Sequence, residues 1–455
     1  MVLFVKLSYS KGTIIIDGDI STPYTQWDPR IKAYRAPAYF YKDIIKYLER
    51  NKIFFKDEVL KPPPSQPILG KVELYPFQKE AFERWMENGY WGTICIVTAG
   101  GKTFIGLKAI EVLRKSTIIL APTLALVDQW VERLKTILGI EPGVLGGGKV
   151  DIKWITVSTY DSAYIRAEEI GDKFELLIAD EAHHIFAPAY SQIAEMLVAP
   201  YRMGLTSTLH RSDMRHLDAP RLIGGIVYEA SHEDLAGSYI APYEHKRIYV
   251  DLTPEERMEY DRLWKIYTSF LEKRGIKIES NNDFQKLIVL SAKDPEAREA
   301  ILARAKALKI ALNSESKMKF LAEQLKLSNE KTIIFTLHNS LVYEISRRFL
   351  IPAITHETSE DERRIILEKF KSGDYKAIVT SLVLDEGIDV PDASRGIILA
   401  GYGSPRQHIQ RLGRLLRKKE GKKAILLEII SRETKDVDFS RRRRRNASKR
   451  TLSSN

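Results

Sequence analysis

Short, mostly apolar runs alternate with helix-spaced segments from Leu74 onward, and this alternation limits the possible folds of the 455-residue chain more than any other feature. The runs are Thr93–Val97, Thr117–Ala121, Trp154–Ser158, Leu176–Ala179 and Met203–Thr206, with helical spacing between them at Thr103–Arg114 and Leu124–Leu138. Strands apolar on both faces and separated by amphipathic helices predict a parallel sheet covered on each side. The pattern stops near His245 and resumes at Thr332–Thr336, Ala377–Val379, Gly396–Ala400 and Ala424–Ile430, which predicts a second α/β unit.

Between the units, about residues 253–312, the strands vanish. Tyr260, Trp264, Tyr267 and Leu271 fall on one helix face and read as core, while Asp294-Pro295 reads as an N-cap and first-turn proline. Ahead of the first unit, residues 1–60 hold alternating strand-like runs and the aromatic segment APAYFYKDIIKYLER, which becomes helical. Lys61-Pro-Pro-Pro-Ser65 cannot continue a helix, so residues 61–73 read as a linker. The expected order is therefore a small domain 1–60, a linker 61–73, an α/β domain 74–245, a second α/β domain 246–440 with a helical insertion, and a basic disordered tail 441–455.

The net charge is +11, but the last fifteen residues supply seven cations and no acid, which leaves +4 of it for the body. A polyanion partner is thus argued mainly by the tail, which equally fits a solvated terminus. Cys95 is the single cysteine, so an intrachain disulfide is excluded, and the thiol reads as a buried packing residue. No apolar run approaches the roughly 18 residues of a membrane span, and the start of the chain lacks the order of a signal peptide. A cytoplasmic protein without a membrane partner is expected.

Three motifs carry chemistry. ICIVTAGGKTFIG, Ile94 to Gly106, nearly spells a phosphate-binding loop, with Ile96 in the first glycine slot. Ala99, Gly100 and Gly101 keep the backbone bare for phosphate oxygens, Lys102 would reach the β- and γ-phosphates, and the Thr103 hydroxyl would sit on Mg²⁺. Alone, Gly-Gly-Lys-Thr also fits an ordinary strand–helix turn. ELLIADEAHHI ends a buried strand in two adjacent acids, which repel unless a cation compensates. A metal–triphosphate does so: Asp180 would orient Mg²⁺, Glu181 would align the attacking water, and His183 would link hydrolysis to the neighbouring domain. In QHIQRLGRLLR, Gln410, Gly413, Arg414 and Arg417 share one helical face. Arginines so placed suit γ-phosphate stabilisation, a contribution of about 10³–10⁵ in rate.

In this order the motifs resemble the superfamily 2 helicase and translocase motor, over roughly residues 70–432. The resemblance implies an α/β protein with two RecA-like parallel-sheet motor domains, a small α+β N-terminal domain and a thumb-like helical insertion about 253–312. It implies an adenine contact at Gln78 in LYPFQKEAFERW, and a strand-phosphate grip by APTLALVDQW, which includes Thr123. It further implies a coupling role for Thr206-Ser207-Thr208, a motif IV at TIIFTLHN, and a motif V at TSLVLDEGIDVPDA with Asp385, Gly387 and Asp389 facing the cleft.

Within that superfamily GSPRQHIQRLGRLLRKK is similar to the XPB group, of the archaeal kind. The resemblance implies a DNA-dependent ATP hydrolase using ATP and Mg²⁺. It implies a helicase or translocase acting 3′ to 5′ in nucleotide excision repair, with an endonuclease subunit as partner and a nucleoid-associated location. XPB proteins carry Arg-Glu-Asp after the coupling motif, where this chain reads Arg211-Ser212-Asp213. Without that glutamate a second reading stands: an ATP-switched DNA scaffold that positions a repair endonuclease and unwinds little.

Overall fold

The computed structural model describes residues 4–18, 20–97, 100–209, 214–235, 238–239, 243–278, 280–381, 393–400 and 424–448. The chain divides into two compact units, the first running to Leu235. No helix among the described residues is long and apolar enough to cross a membrane.

The first unit opens with five strands, β1 (Phe4–Ser10), β2 (Thr13–Asp17), β3 (Gln26–Asp28), β4 (Ala33–Pro37) and β5 (Phe54–Glu58). They form a sheet of order β3-β4-β2-β1-β5. Helix α1 (Tyr41–Arg50) buries Tyr41, Ile44 and Leu48, one face of a 3.6-residue repeat, in the core with Val5, Leu7, Ile14 and Ile16. The β1–β2 turn is made by Lys11 and Gly12, both at positive φ, as a two-residue hairpin requires. A Cβ on Gly12 would lie 2.6 Å from the Met196 methyl, so only a bare backbone lets the turn pack this tightly on that side chain.

After the proline linker come α2 (Pro76–Glu87), β6 (Trp91–Ile96), α3 (Lys102–Leu113), β7 (Thr117–Ala121) and α4 (Leu124–Arg133), which runs into a π turn at Leu134–Leu138. Next are β8 (Gly143–Gly146), β9 (Lys149–Val150), β10 (Ile155–Thr159), α5 (Tyr160–Ile165), α6 (Ala167–Ile170) and β11 (Leu176–Asp180). The unit ends with α7 (Ser191–Met196), β12 (Tyr201–Thr206), α8 (Ala219–Leu222), β13 (Ile226–Ala230) and α9 (His232–Leu235). The sheet order is β13-β6-β12-β11-β7-β10-β8-β9, parallel throughout except for the β8–β9 hairpin. Each residue of β7, β10 and β11 is buried, as strands covered on both faces require.

The N-terminal domain packs against the amino ends of these strands. Lys42 Nζ donates to the carbonyl of Gly89, just before β6, over 2.7 Å. Lys61 N–H donates to Asp172 O, ahead of β11, and the Tyr9 hydroxyl to Met196 O, ahead of β12. Arg202, fully buried at the start of β12, donates to Ala199, Leu197 and Leu222 carbonyls and lies 4.8 Å from the Trp91 ring. Burial pulls its pKa down to about 9, but three carbonyls and an aromatic face all favour the cation, so the guanidinium stays charged.

The second unit begins with β14 (Tyr243–Val250) and the helices α10 (Pro254–Lys273), α11 (Asn281–Ser291), α12 (Pro295–Leu312) and α13 (Glu315–Leu327). It continues with β15 (Thr332–Phe335), α14 (Asn339–Phe349), β16 (Ala353–Ile354), α15 (Glu360–Ser372), β17 (Ala377–Thr380), β18 (Arg395–Ile398), β19 (Ala424–Ser431) and α16 (Lys435–Ser448). Its sheet, of order β14-β19-β18-β15-β17-β16, is parallel in every described pair. Tyr260 and Tyr267 are buried among α10–α12, as a core stripe requires, and Asp294 caps α12 by accepting from Glu296 and Ala297 N–H.

Two boundaries differ from the sequence reading. β14 pairs with β19 along its whole length, so residues 243–245, assigned from pattern to the first α/β domain, belong to the second sheet. The segment assigned to a disordered tail is helical as far as Ser448. The cause lies one turn earlier. Asp436 is buried against Lys317 Nζ at 2.6 Å, and Phe439 packs on the sheet core. A helix nucleated by those contacts propagates readily through arginines, which are good helix formers.

Candidate nucleotide-binding and coupling site

In a parallel sheet, ligands bind beyond the carboxyl ends of the strands. Cys95 pairs with Thr206, and Leu205 with Asp180, so β6, β12 and β11 end side by side. With neighbouring strands about 4.8 Å apart, the ends of the three strands, with Thr206 and Asp180, lie within roughly 10 Å of one another, and the charge of Lys102 acts on Asp180. The N-terminal domain holds the opposite ends of the same strands.

The phosphate-loop glycines are held in shape by Gln78. Gly101 adopts φ 71° as the residue before α3, a conformation that favours glycine. A Cβ there would lie 2.5 Å from Gln78 Nε2, and one on Gly100 would collide with Ile96 Cγ2. Gln78, 3% exposed, donates from Nε2 to Gly100 O at 2.9 Å and accepts Tyr75 N–H at Oε1. The amide, assigned an adenine contact by resemblance, thus ties the loop at Nε2 to the N-cap of α2 at Oε1. Lys102 Nζ donates to Ile96 O at 3.1 Å, and Thr103 follows it, half buried, in the first turn of α3. Bare backbone, an ammonium and a hydroxyl at a helix N-terminus form a donor set that fits a triphosphate with its magnesium.

Asp180 is 7% exposed. Its Oδ1 accepts Glu181 N–H at 3.0 Å, and its Oδ2 accepts the Trp130 indole N–H at 2.9 Å. Burial, then the Glu181 carboxylate, raises its pKa, while the Trp130 N–H and the Lys102 charge act the other way. A carboxylate kept in so poor a setting suits a site built to meet cationic charge. Beneath it the Tyr160 hydroxyl donates to Asp180 O, and burial lifts that phenol well above its ordinary pKa.

Glu181 sits at φ 46°, ψ 55°, a left-handed conformation costing a non-glycine residue on the order of 1 kcal/mol or more. The bend turns its carboxylate toward β12, where Oε2 lies 3.4 Å from Thr206 Oγ1. The same hydroxyl lies 3.2 Å from His183 Nδ1 and 2.8 Å from Thr208 O. His183, Thr206 and Thr208 are all buried. The acid pair and the triplet Thr206-Ser207-Thr208, assigned a coupling role by resemblance, are thus one connected network.

Thr123 caps α4 by accepting Leu126 N–H at its side chain. Ala99, Arg211, Asp213, Asp385, Gly387, Asp389, Gln410, Arg414 and Arg417 lie outside the described residues. Trp130 and Tyr160 escaped the sequence reading. The only hint was a buried-face indole at the end of APTLALVDQW, since a buried indole N–H usually finds an acceptor.

Three family profiles match the chain. Residues 7–59 match the Xeroderma pigmentosum group B helicase damage recognition domain. Residues 71–211 match the type III restriction enzyme res subunit, and residues 299–449 the ERCC3/RAD25/XPB C-terminal helicase. The chain is 47% identical to the DNA 3′-5′ translocase XPB2 of Sulfurisphaera tokodaii over 97% of its own length and 100% of that protein. It is 28% identical to the DNA 3′-5′ helicase XPB of Kineococcus radiotolerans, over 82% of this chain and 62% of that one. With the general transcription and DNA repair factor IIH helicase/translocase subunit XPB of Danio rerio it shares 26% identity, covering 86% of this chain and 49% of that subunit.

Among solved structures, the Pyrococcus furiosus Hef helicase domain superposes with a TM-score of 0.53 at 20% identity, covering 80% of this chain and 96% of that one. That likeness fits the two sheets as RecA-like domains. Matched over 97% of its length by an archaeal relative at nearly half identity, and over residues 7–59 and 299–449 by XPB profiles, the chain belongs to the XPB family of superfamily 2 helicases.

Proposed function

We propose that this chain is an ATP-driven DNA translocase moving 3′ to 5′, which opens or remodels duplex DNA in repair. The observation that carries the reading is the cluster at the strand ends, where the acid pair is joined to Thr206 and His183 and the charge of the phosphate-loop lysine acts on Asp180. Membership of the family implies use of ATP. The direction of movement comes from the names of the archaeal and bacterial relatives, and the repair setting from that of the zebrafish subunit.

In this reading Lys102 leaves the Ile96 carbonyl to bind the β- and γ-phosphates, and Gly100 and Gly101 give their N–H groups to the same oxygens. Thr103 and Asp180 would hold the magnesium of the nucleotide, which would withdraw charge from the phosphates. Glu181 orients the attacking water and takes its proton. Gln78 contacts adenine at the cost of its bonds to the loop. The hydroxyl of Thr206 and the ring of His183 register the state of Glu181 and pass it to the segment after Thr208. That segment includes Arg211 and Asp213. Thr123, at the start of α4, holds a phosphate of the tracked strand.

DNA reaches a second contact on α16. Its first half is fastened by Asp436 and Phe439, and its second half carries Arg441 to Arg445 on consecutive helical positions. A partner endonuclease subunit completes the proposal, because an ATP-driven opening of DNA prepares a strand for incision.

ATPase rate measured against single-stranded, duplex, bubble and forked DNA and against RNA tests the reading. Stimulation by DNA junctions well above RNA is expected, and equal or greater stimulation by RNA overturns it. A strand-displacement assay on the same samples separates a motor from an ATP-switched scaffold.

A further inference from the structure

Two donors fix the plane of the Asp180 carboxylate, and they differ in kind. The N–H on Oδ1 belongs to Glu181, the next residue in the chain, and moves with β11 itself. The N–H on Oδ2 belongs to Trp130, fifty positions away and on another element. A local donor cannot report a displacement, whereas a remote one can.

Trp130 is 1% exposed and lies in the second turn of α4. That helix starts at Thr123, about 10 Å away along the axis at 1.5 Å per residue. The indole also touches the phosphate-loop helix: a Cβ on Gly106 of α3 would come within 2.7 Å of Trp130 Cη2. One ring therefore meets the helix that opens with Thr123, the helix that opens with Lys102, and the carboxylate of Asp180. Its hydrogen bond to Asp180 measures 2.9 Å, and such a bond is lost beyond about 3.5 Å. A shift of α4 by well under one side-chain diameter would release Oδ2 and let the carboxylate turn about its Cβ–Cγ bond.

We propose that Trp130 is a positioning residue that couples strand binding at the start of α4 to nucleotide binding at Asp180 through its indole N–H. The inference rests on the reading of Thr123 and Asp180 given above. It goes beyond that reading by naming the group through which DNA makes the ATPase DNA-dependent. Coupling of this kind is reciprocal: whatever factor DNA contributes to nucleotide affinity, nucleotide contributes to DNA affinity.

A buried indole also has a purely architectural use, and the same unit supplies the comparison. Trp85, equally buried, donates to the Arg202 carbonyl over 2.8 Å, at the other end of β12. W130F and W85F each remove one buried indole N–H and keep most of the ring.

The experiment uses the full chain and a fluorescent, non-hydrolysable ATP analogue with Mg²⁺. Its dissociation constant is measured by anisotropy with and without saturating single-stranded DNA. In the wild type the two values are expected to differ by about 5–150-fold. In W130F the ratio is expected to fall to within about twofold of one, while W85F keeps the wild-type ratio. A wild-type ratio in W130F, or an equal loss in W85F, overturns the proposal. A ratio of one in the wild type sinks the DNA-dependent motor itself, and Trp130 with it.

Should W130F fail to fold, indole ¹⁵N–¹H spectra of the wild type decide the matter. The chain has six tryptophans, assignable by Phe replacement of the other five. The Trp130 signal is expected to move when DNA alone is added, and a signal that stays in place overturns the proposal.

Discussion

The Nδ1 atom of His183 lies 3.2 Å from the Oγ1 atom of Thr206, joining the end of the acid-pair motif to the coupling triplet on the next strand. The hydroxyl has one proton, and its shortest contact is the Thr208 carbonyl at 2.8 Å. With the proton placed there, His183 must donate from Nδ1, and the same N–H faces Glu181 Oε2 at 3.5 Å. A change at Glu181 is therefore felt at Thr206. His183→Ala is expected to keep ATP hydrolysis within about tenfold of wild type while translocation falls much further. Equal losses in a paired ATPase and triplex-displacement assay would remove the coupling role.

Lys102→Ala removes the ammonium proposed to close on the phosphates, and is expected to abolish DNA-stimulated phosphate release. Glu181→Gln keeps the shape and loses the proposed base. Its nucleotide affinity should stay within several-fold, while kcat drops by about 10²–10⁴, the usual contribution of general base catalysis. Pre-steady-state nucleotide binding beside steady-state turnover separates the two, and a normal kcat in Glu181→Gln contradicts its assignment.

Gln78 braces Gly100 and stands against Gly101. Gly101→Ala should weaken nucleotide binding sharply, since it adds a Cβ at φ 71° and against the amide. Gln78→Ala should weaken ATP by several-fold and narrow the preference for ATP over GTP. If ATP and GTP weaken by the same factor, Gln78 is a brace alone and the adenine contact fails.

The Tyr9 phenol joins the N-terminal domain to the first lobe, and burial pushes its pKa up to about 12. An unfolded tyrosine ionises near 10, so between about 10 and 12 the unfolded chain has released a proton that the folded chain retains. This stabilisation is complete below about pH 10 and is lost as pH rises through about 12. Urea melts of Tyr9→Phe should show a shallower alkaline loss than wild type. The neighbouring Tyr41, also raised by burial, titrates alike in both proteins and cancels. Identical alkaline limbs would refute the assignment.

The arginines of α16 are expected to steepen the salt dependence of DNA binding. Each one that neutralises a phosphate adds about 0.7–0.9 to the slope of log K against log salt. A chain ending after Ser440 keeps Asp436 and Phe439, so it should fold normally and bind with a lower slope. An unchanged slope would make the run a bystander.

Much of this was legible because the relevant chemistry is local in sequence. Thr117–Ala121 is a strand in the structure with the bounds read from its apolar run. Asp294 caps α12 as Asp-Pro announces, and the aromatic stripe of α10 is core. The glycine loop, the acid pair and the threonine triplet each carry their chemistry within a few adjacent residues, and their order along the chain pointed to the family. The fate of residues 441–448 was not legible, because the Asp436–Lys317 pair that anchors their helix is closed across more than a hundred residues.

Most of the sheet elements and the reactive groups were readable from the chain alone, since hydrophobic period, glycine freedom and carboxylate repulsion all act between near neighbours. Only the tertiary structure decided which groups meet: Gln78 under Gly100, Thr206 between Glu181 and His183, and the Trp130 indole on Asp180. Strand order brings these pairs together, and strand order depends on long-range pairing that no local pattern encodes.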